Sequence, residues 1–144
     1  MPGVGELRKT LVDRGFEVYR VLEDRIVLAE RVRDNLIMDS GVSAGYGSSL
    51  CVHFVVRAQA NDFPTEAPER LLSRARRLAE CAVERGYVEV GTAVVDVRAP
   101  GDETRTLDTW HEVAYQKAVH DQTEFFSELR YALSLPKTAQ VVRT

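Results

Sequence analysis

The chain contains one long stretch of strict alternation, LCVHFVVRAQ at residues 50–59. Every second residue in it is apolar, and the residues between are mixed. Because successive side chains of a β-strand point to opposite faces of the sheet, this pattern predicts a central strand over residues 50–58. Phe54 then lies on the face that packs in the core, and His53 lies on the other face.

A helix and two strands are predicted after this strand. Over residues 66–85 apolar residues recur at spacings of three and four, which indicates one long amphipathic helix with Pro68 in its first turn. Gly86 is placed to end that helix. Residues 87–98 are rich in valine and predict a strand, and residues 107–119 predict its antiparallel partner.

The part of the chain before residue 50 predicts a short helix and a hairpin. The helix covers roughly residues 4–14, and the hairpin strands cover residues 16–22 and 25–32. Residues 35–38 are compatible with either a short strand or a helical turn. Residues 39–49 are rich in glycine and serine and predict a loop.

A final helix begins after Asp121, which stands three residues before Glu124 as in a capping box, and Pro136 ends it. The resulting order is α-β-β-(β)-β-α-β-β-α. It predicts an α+β fold with a single antiparallel sheet of five to six strands, packed by three helices on one face. The length of 144 residues is typical of one domain. We therefore expect one domain over residues 1–144, with an ordered core over about 4–135 and a short C-terminal tail.

Composition excludes several classes of protein. The net charge of −3 argues against a nucleic-acid partner, which requires a basic field. The apolar runs are too short for a membrane-spanning helix, and the N-terminus lacks the pattern of a secretory signal. The 16 arginines against three lysines indicate a GC-rich bacterial genome. These features predict a protein of the bacterial cytoplasm.

No pattern in the chain indicates a catalytic, cofactor or metal site. The Gly45-Tyr46-Gly47 segment leads into a strand and not into a helix, so it predicts a flexible loop and not a phosphate cradle. His53, His111 and His120 lack the spacing of zinc ligands, and His111 could face His53 only if their strands were neighbours. Ser40 and Ser43 near Asp39 are the conceivable nucleophiles, without a recognisable motif. Cys51 and Cys81 both lie in apolar patterns and are predicted to be small buried residues.

Several side chains are candidates for binding a partner. His53, Val55 and Arg57 share the outer face of the predicted central strand. Arg70, Arg74 and Arg77 form a stripe on the long helix, although the interspersed glutamates, Glu66 toward Arg70 among them, indicate a salt-bridged surface. Phe125 and Phe126 are adjacent and point about 100° apart on a helix, so one is expected to enter the core while the other, Phe126 in our assignment, reaches the rim.

The element order, the length and the acidic balance resemble the type III secretion chaperone-like fold and the related YbjN-like bacterial proteins. The nearest sequence anchors are GFEV at residues 15–18 and VVRAQ at residues 55–59, and the extra segment at 35–38 with its loop is closer to the YbjN-like variant. The resemblance implies a protein without enzymatic activity that pairs with itself and binds another polypeptide. It assigns no functional residue.

Two functions are therefore expected. The first is a homodimeric protein-binding module or chaperone-like adaptor, with no metal and no cofactor. The alternative is a small-ligand-binding protein or an enzyme that uses the loop at residues 39–49 and His53. A pocket containing a histidine of perturbed pKa would favour the alternative, and an exposed apolar surface would favour the binding module.

Overall fold

The structure is a computed structural model that describes residues 3–46 and 49–141. In this part of the chain it contains six strands and four α-helices, with a short 3-10 turn at Ala60–Asp62. In chain order they are α1 (Val4–Asp13), β1 (Val18–Val21), β2 (Arg25–Arg33), β3 (Leu36–Gly45), β4 (Cys51–Gln59), α2 (Pro68–Leu78), α3 (Glu80–Glu84), β5 (Val88–Ala99), β6 (Asp102–Ala118) and α4 (Gln122–Ser134).

The six strands form one antiparallel sheet in the order β1-β2-β3-β4-β6-β5. The predicted α+β class with a single antiparallel sheet is confirmed. β4 is an inner strand of this sheet, and its residues alternate between buried and half-buried as the period-two pattern predicts. Phe54 is fully buried, so the strand has the predicted register.

The prediction of one long helix over residues 66–85 is wrong in one respect, because two helices, α2 and α3, meet at Ala79. The backbone N–H of Ala79 bonds to the carbonyl of Arg76, three residues back, which tightens the turn as in a 3-10 helix. The spacing of apolar residues continues through this point, so the sequence pattern does not reveal the interruption.

The prediction of a loop over residues 39–49 is wrong for its first half, because β3 continues to Gly45 and pairs with both β2 and β4. The glycine and serine content reflects an irregularity in the pairing between β2 and β3. There Gly41 adopts a φ of 80°, and its N–H bonds to the Asp39 carboxylate. The buried Ser40 hydroxyl donates to the carbonyl of Leu28, 2.8 Å away, and accepts from the N–H of Val42. Side chains thus satisfy backbone groups that the regular ladder leaves unpaired.

The chain divides into two compact units, and the first comprises Met1–Phe54 and Gln116–Ser134. Its core contains the apolar sides of α1, β2 and α4, including the stacked rings of Phe16 and Phe126, whose centroids are 6.0 Å apart. Phe125 and Phe126 are both buried, so the prediction that Phe126 reaches the rim is wrong. Phe126 finds room because Phe16 lies against it and the Arg14 guanidinium covers its ring at 4.7 Å.

The second unit comprises Val55–Tyr115 and Leu135–Thr144. Its apolar cluster contains Ala58, Phe63, Leu71 and Ala139. The segment after α4 runs beside β4, where the N–H of Arg57 bonds to the carbonyl of Lys137 and the N–H of Ala139 bonds to the carbonyl of Arg57. The prediction that the ordered core ends near residue 135 is therefore wrong, since Ala139 is a buried part of the cluster.

Cys51 is half-buried, whereas Cys81 is exposed on α3, which contradicts the prediction that both cysteines are buried. α3 is a short helix that buries Ala82 and turns Cys81 outward. Among the described residues, no helix combines the length and the apolar character required to cross a membrane.

Candidate functional site

A polar cleft of about 270 Å³ lies in the first unit, where β2 begins, β3 ends and β4 begins. We call it the Arg25 cleft. Its walls are contributed by Asp24, Arg25, Gly45, Tyr46, Ser49, Cys51, His53 and Gln116.

Backbone hydrogen bonds hold the walls of the Arg25 cleft in place. The N–H of Leu22 bonds to the carbonyl of Arg25 at 2.8 Å and closes the turn between β1 and β2. The N–H of Tyr46 bonds to the carbonyl of Asp24 at 3.1 Å, and the Tyr46 hydroxyl donates to the carbonyl of Leu22. The end of β3 is thereby tied to this turn.

Gly45 allows the strands to approach closely at the floor of the cleft. A Cβ at this position would lie 2.3 Å from the Sγ of Cys51, so a side chain at residue 45 would require the Cys51 sulfur to move. The sulfur therefore packs directly on the backbone of β3.

His53 lies opposite Ser43 in the pairing of β3 with β4. Its Nδ1 is 3.4 Å from Nη1 of Arg25 and 3.4 Å from Oγ of Ser43. Burial lowers the pKa of His53 to about 4, and the positive charge of Arg25 contributes in the same direction, against a smaller opposing effect of Asp24. The imidazole is therefore neutral at neutral pH.

Burial perturbs two ionisable side chains in this cleft. Burial raises the pKa of the Cys51 thiol, so the sulfur is protonated and weakly nucleophilic. A histidine with a pKa near 4 is a weak base at neutral pH. In the described residues, no group of three or more His, Cys, Asp or Glu side chains has the arrangement to hold a metal ion.

The second unit presents an exposed apolar strand. β5 is twelve residues long and is the last strand of the sheet, and its first nine residues are all exposed. The exposed fractions of Val88, Val90 and Val94 are 60%, 52% and 64%. We call this strand, with its unpaired side, the β5 edge.

Contacts with neighbouring elements establish which face of the sheet each β5 side chain occupies. Glu89 bonds to Arg76 of α2 at 2.8 Å, and the pKa of Glu89 is lowered chiefly by this hydrogen bond and to a lesser extent by one from the buried Tyr115. Thr92 lines a small cavity with Ala114, which is adjacent to Tyr115 on β6 and so points to the other face. Odd-numbered residues of β5 thus share the helical face, and even-numbered residues share the outer face.

An apolar groove of about 620 Å³ lies where β5 begins, on the helical face of the second unit. Its apolar walls include Val83, Tyr87 and Tyr115, its charged rim contains Arg76, Glu80, Glu84 and Glu89, and Val88 lines its end where β5 begins. The groove therefore adjoins the β5 edge.

The arginines predicted to bind a partner are in different environments. Arg74 is bonded to Glu66 and its guanidinium lies 4.1 Å from the Phe63 ring, so it is already engaged. The predicted pairing of Glu66 with Arg70 is wrong, because Glu66 lies before α2 and not on it. Arg70 and Arg77 are exposed on α2.

The candidates on β4 fall in both units. His53 belongs to the first unit and lines the Arg25 cleft. Val55 and Arg57 belong to the second unit and are half-buried. Arg57 is 3.0 Å from Glu112 and lies over the Trp110 ring at 4.4 Å, so its charge is paired. Phe126, buried in the first unit, is unsuited to meet a partner.

The remaining histidines lie outside the cleft. His111 is buried in the second unit, on the face of β6 that also carries the buried Val113 and Tyr115, whereas His53 alternates with the buried side chains of β4. His120 is exposed. The Gly45-Tyr46-Gly47 segment was predicted to be a flexible loop. Gly45 is the last residue of β3, and Gly47 lies outside the described residues.

Sequence reasoning missed Arg25 and the β5 edge. Arg25 stands in an ordinary turn-to-strand sequence, and its proximity to His53 depends on the pairing of β3 with both neighbours. The valine-rich sequence of β5 is also typical of a buried strand, so it does not indicate that this strand is exposed. Comparison of the chain with protein-family models, curated proteins and solved structures gave no match.

Proposed function

We propose that this chain is a non-enzymatic protein-binding module of the bacterial cytoplasm that works as a homodimer, paired through the β5 edge. The observation that carries the proposal is the β5 edge itself, an outer strand of twelve residues with exposed valines. A strand at the edge of a sheet carries a row of unpaired N–H and C=O groups that another strand can bond. The resemblance to chaperone-like proteins supports the same function.

The middle of the β5 edge, residues 90–95, lacks the features that normally prevent pairing. Edge strands are commonly short, irregular or charged, or contain proline. The opposite outer strand, β1, has four residues and a shift in its register with β2. By contrast, residues 90–95 of β5 have the sequence VGTAVV, without a charge or a proline. This difference favours β5 as the strand that meets a partner.

A second copy of the chain is a well-matched occupant. Two β5 strands related by a two-fold axis run antiparallel, and residues opposite each other share a face. With the axis at Thr92, Val90 of one copy faces Val94 of the other, which pairs β-branched side chains. Glu89 and Asp96 lie on opposite faces of β5, so in a regular pairing these like charges never stand directly opposite each other.

The apolar groove beside the β5 edge is covered in the same arrangement. With the axis at Thr92, Val97 of a second copy comes opposite Tyr87, on the helical face where the groove lies. Val95 of that copy comes opposite Glu89. Burial of the exposed apolar side chains of β5 on association provides a driving force for pairing.

The test is the mass of the purified chain in solution, measured by sedimentation at tens of micromolar. We expect a dimer for the natural chain and a monomer for Val90→Lys, because a lysine at this position introduces a charge into the paired edge. Val32→Lys is the matched control, since Val32 is exposed to 50% on β2 and Val90 to 52% on β5. A monomeric natural chain, or a dimer that survives Val90→Lys, would refute pairing through β5.

A cross-link tests the register separately. In a background carrying Cys81→Ser, Thr92→Cys places two thiols beside the two-fold axis, and we expect a disulfide-linked dimer under mild oxidation. Thr104→Cys on the exposed part of β6 is the control and should remain unlinked. A dimer in which Thr92→Cys does not cross-link would show that another register or another surface forms the contact.

A further inference from the structure

The Arg25 cleft has the donors, the charge and the size of a site for a small anion. We propose that it binds a small monocarboxylate, with Arg25 as the charged anchor and His53 as part of the cleft wall. The site belongs to the first unit and is separate from the β5 edge. It therefore stands independently of the homodimer.

Arg25 retains donors that are directed to no described partner. A guanidinium carries five N–H donors and no acceptor. Its Nε and Nη2 contact the two carboxylate oxygens of Asp24 at 3.3 and 3.4 Å, and its Nη1 contacts His53 at 3.4 Å. These contacts use three of the five donors, which leaves one N–H on Nη1 and one on Nη2 for a ligand.

Asp24 holds Arg25 only weakly. The two residues are adjacent in sequence, their contacts are long, and the Asp24 side chain is exposed to 69%. Ion pairs with such exposure contribute little, because water and salt screen them. A ligand carboxylate that meets the guanidinium inside the cleft therefore competes with a weak partner.

The tautomer of His53 follows from its neighbours. Because the Arg25 guanidinium can only donate, Nδ1 of His53 must accept, and the proton of the neutral ring lies on Nε2. The Ser43 hydroxyl can donate to the same Nδ1 at 3.4 Å. The ring thus adds no second positive charge to the cleft.

The volume and the charge of the Arg25 cleft indicate which ligand it can bind. A cavity of about 270 Å³ is below the range of about 300–1,000 Å³ that holds drug-sized molecules, so it suits a ligand of few heavy atoms. Arg25 is the only cation among the described lining residues, and Asp24 opposes it. A monocarboxylate matches this balance, whereas a phosphate dianion requires more positive charge.

The experiment is an NMR titration of the isotopically labelled full chain at neutral pH and constant ionic strength. The probes are sodium acetate, its neutral analogue acetamide, and inorganic phosphate. We expect acetate to shift the signals of the His53 ring, the Arg25 side chain and the Cys51 backbone in one saturable process. Acetamide and phosphate should bind more weakly.

Three variants distinguish acetate binding in the Arg25 cleft from non-specific association of anions with the protein. Arg25→Gln should weaken acetate binding by about tenfold, since it removes a charge-assisted hydrogen bond. Asp24→Asn should strengthen it by about threefold, because it removes the competing carboxylate. Arg31→Gln is the control and should leave binding unchanged, since Arg31 lies on the same strand but pairs with Glu17.

Several results would overturn the proposal. Equal affinity for acetamide would show that charge plays no part, and tighter binding of phosphate would show a site for a different anion. Acetate binding that is unaltered in Arg25→Gln, or weakened in Asp24→Asn, would place the anion elsewhere. Melting temperatures of the variants close to that of the natural chain ensure that a loss of binding reflects the site and not unfolding.

Discussion

Replacement of Phe54 by alanine tests the register of β4 and the core of the first unit together. Phe54 is fully buried on an inner strand, so the substitution removes a whole ring from a closed environment. Loss of a buried phenylalanine costs about 3–5 kcal/mol, through the lost transfer free energy and the cavity that remains. A domain is typically stable by only about 5–15 kcal/mol, so Phe54→Ala should remove a large fraction of the total.

The measurement is the free energy of unfolding from urea denaturation, with the slope compared between variants to detect departures from two-state behaviour. Val32→Ala is the control, because Val32 is exposed to 50% and its truncation should change the free energy by less than about 0.5 kcal/mol. A cost below about 1 kcal/mol for Phe54→Ala would mean that β4 presents its other face to the core, since a shift by one residue exchanges the two faces.

Two further substitutions follow from buried polar groups. His53 has its pKa lowered to about 4 by burial and by Arg25, so the unfolded chain binds more protons between about pH 4 and its ordinary pKa near 6.5. The free energy of unfolding should therefore fall as the pH decreases through this window. His53→Gln should flatten that part of the curve of unfolding free energy against pH. An unchanged curve would contradict the lowered pKa of His53. Ser40→Ala should cost about 1–3 kcal/mol in urea denaturation, because it leaves the carbonyl of Leu28 and the N–H of Val42 without their hydroxyl partner. Ser49→Ala, at an exposed position, is the control. If the two substitutions changed the free energy of unfolding equally, the Ser40 hydrogen bonds would contribute nothing to stability.

The sequence predicted the parts of the fold that have a regular period. The alternation around Phe54 identified β4 because one face of this strand is buried along its length. The same reasoning failed for β3, where Ser40 and Gly41 serve an irregular pairing and not a loop. It also failed at Ala79, since a tightened turn leaves the spacing of apolar residues intact. A local sequence pattern reveals the repeat of a helix or strand. It does not reveal an interruption of the regular backbone hydrogen bonds when other hydrogen bonds satisfy the same groups.

The candidate sites were less predictable, because each depends on pairing between distant segments. His53 was identified as an outward-facing residue, but its low pKa follows from burial in the folded chain and, to a lesser extent, from Arg25, which is 28 positions away in the chain. The exposure of Val90 and Val94 follows from the position of β5 at the end of the strand order. Phe126 was placed at the rim because adjacent helical residues diverge, yet Phe16 and Arg14 supply a second packing surface for it.

The pairing of Arg57 with residues 137–139 has a consequence for the order in which the chain acquires its structure during synthesis. Each unit is assembled from two separated stretches, so the ribosome must release Ser134 before the first unit is complete and Ala139 before the second is complete. Until then, the N–H and C=O of Arg57 that later bond to Lys137 and Ala139 face water, and Phe63 and Leu71 lack their contact with Ala139. Contacts between such distant segments form slowly because a long loop must close first. Both units therefore reach their final form only after residue 139 has left the ribosome, and until then the nascent chain exposes an additional strand edge.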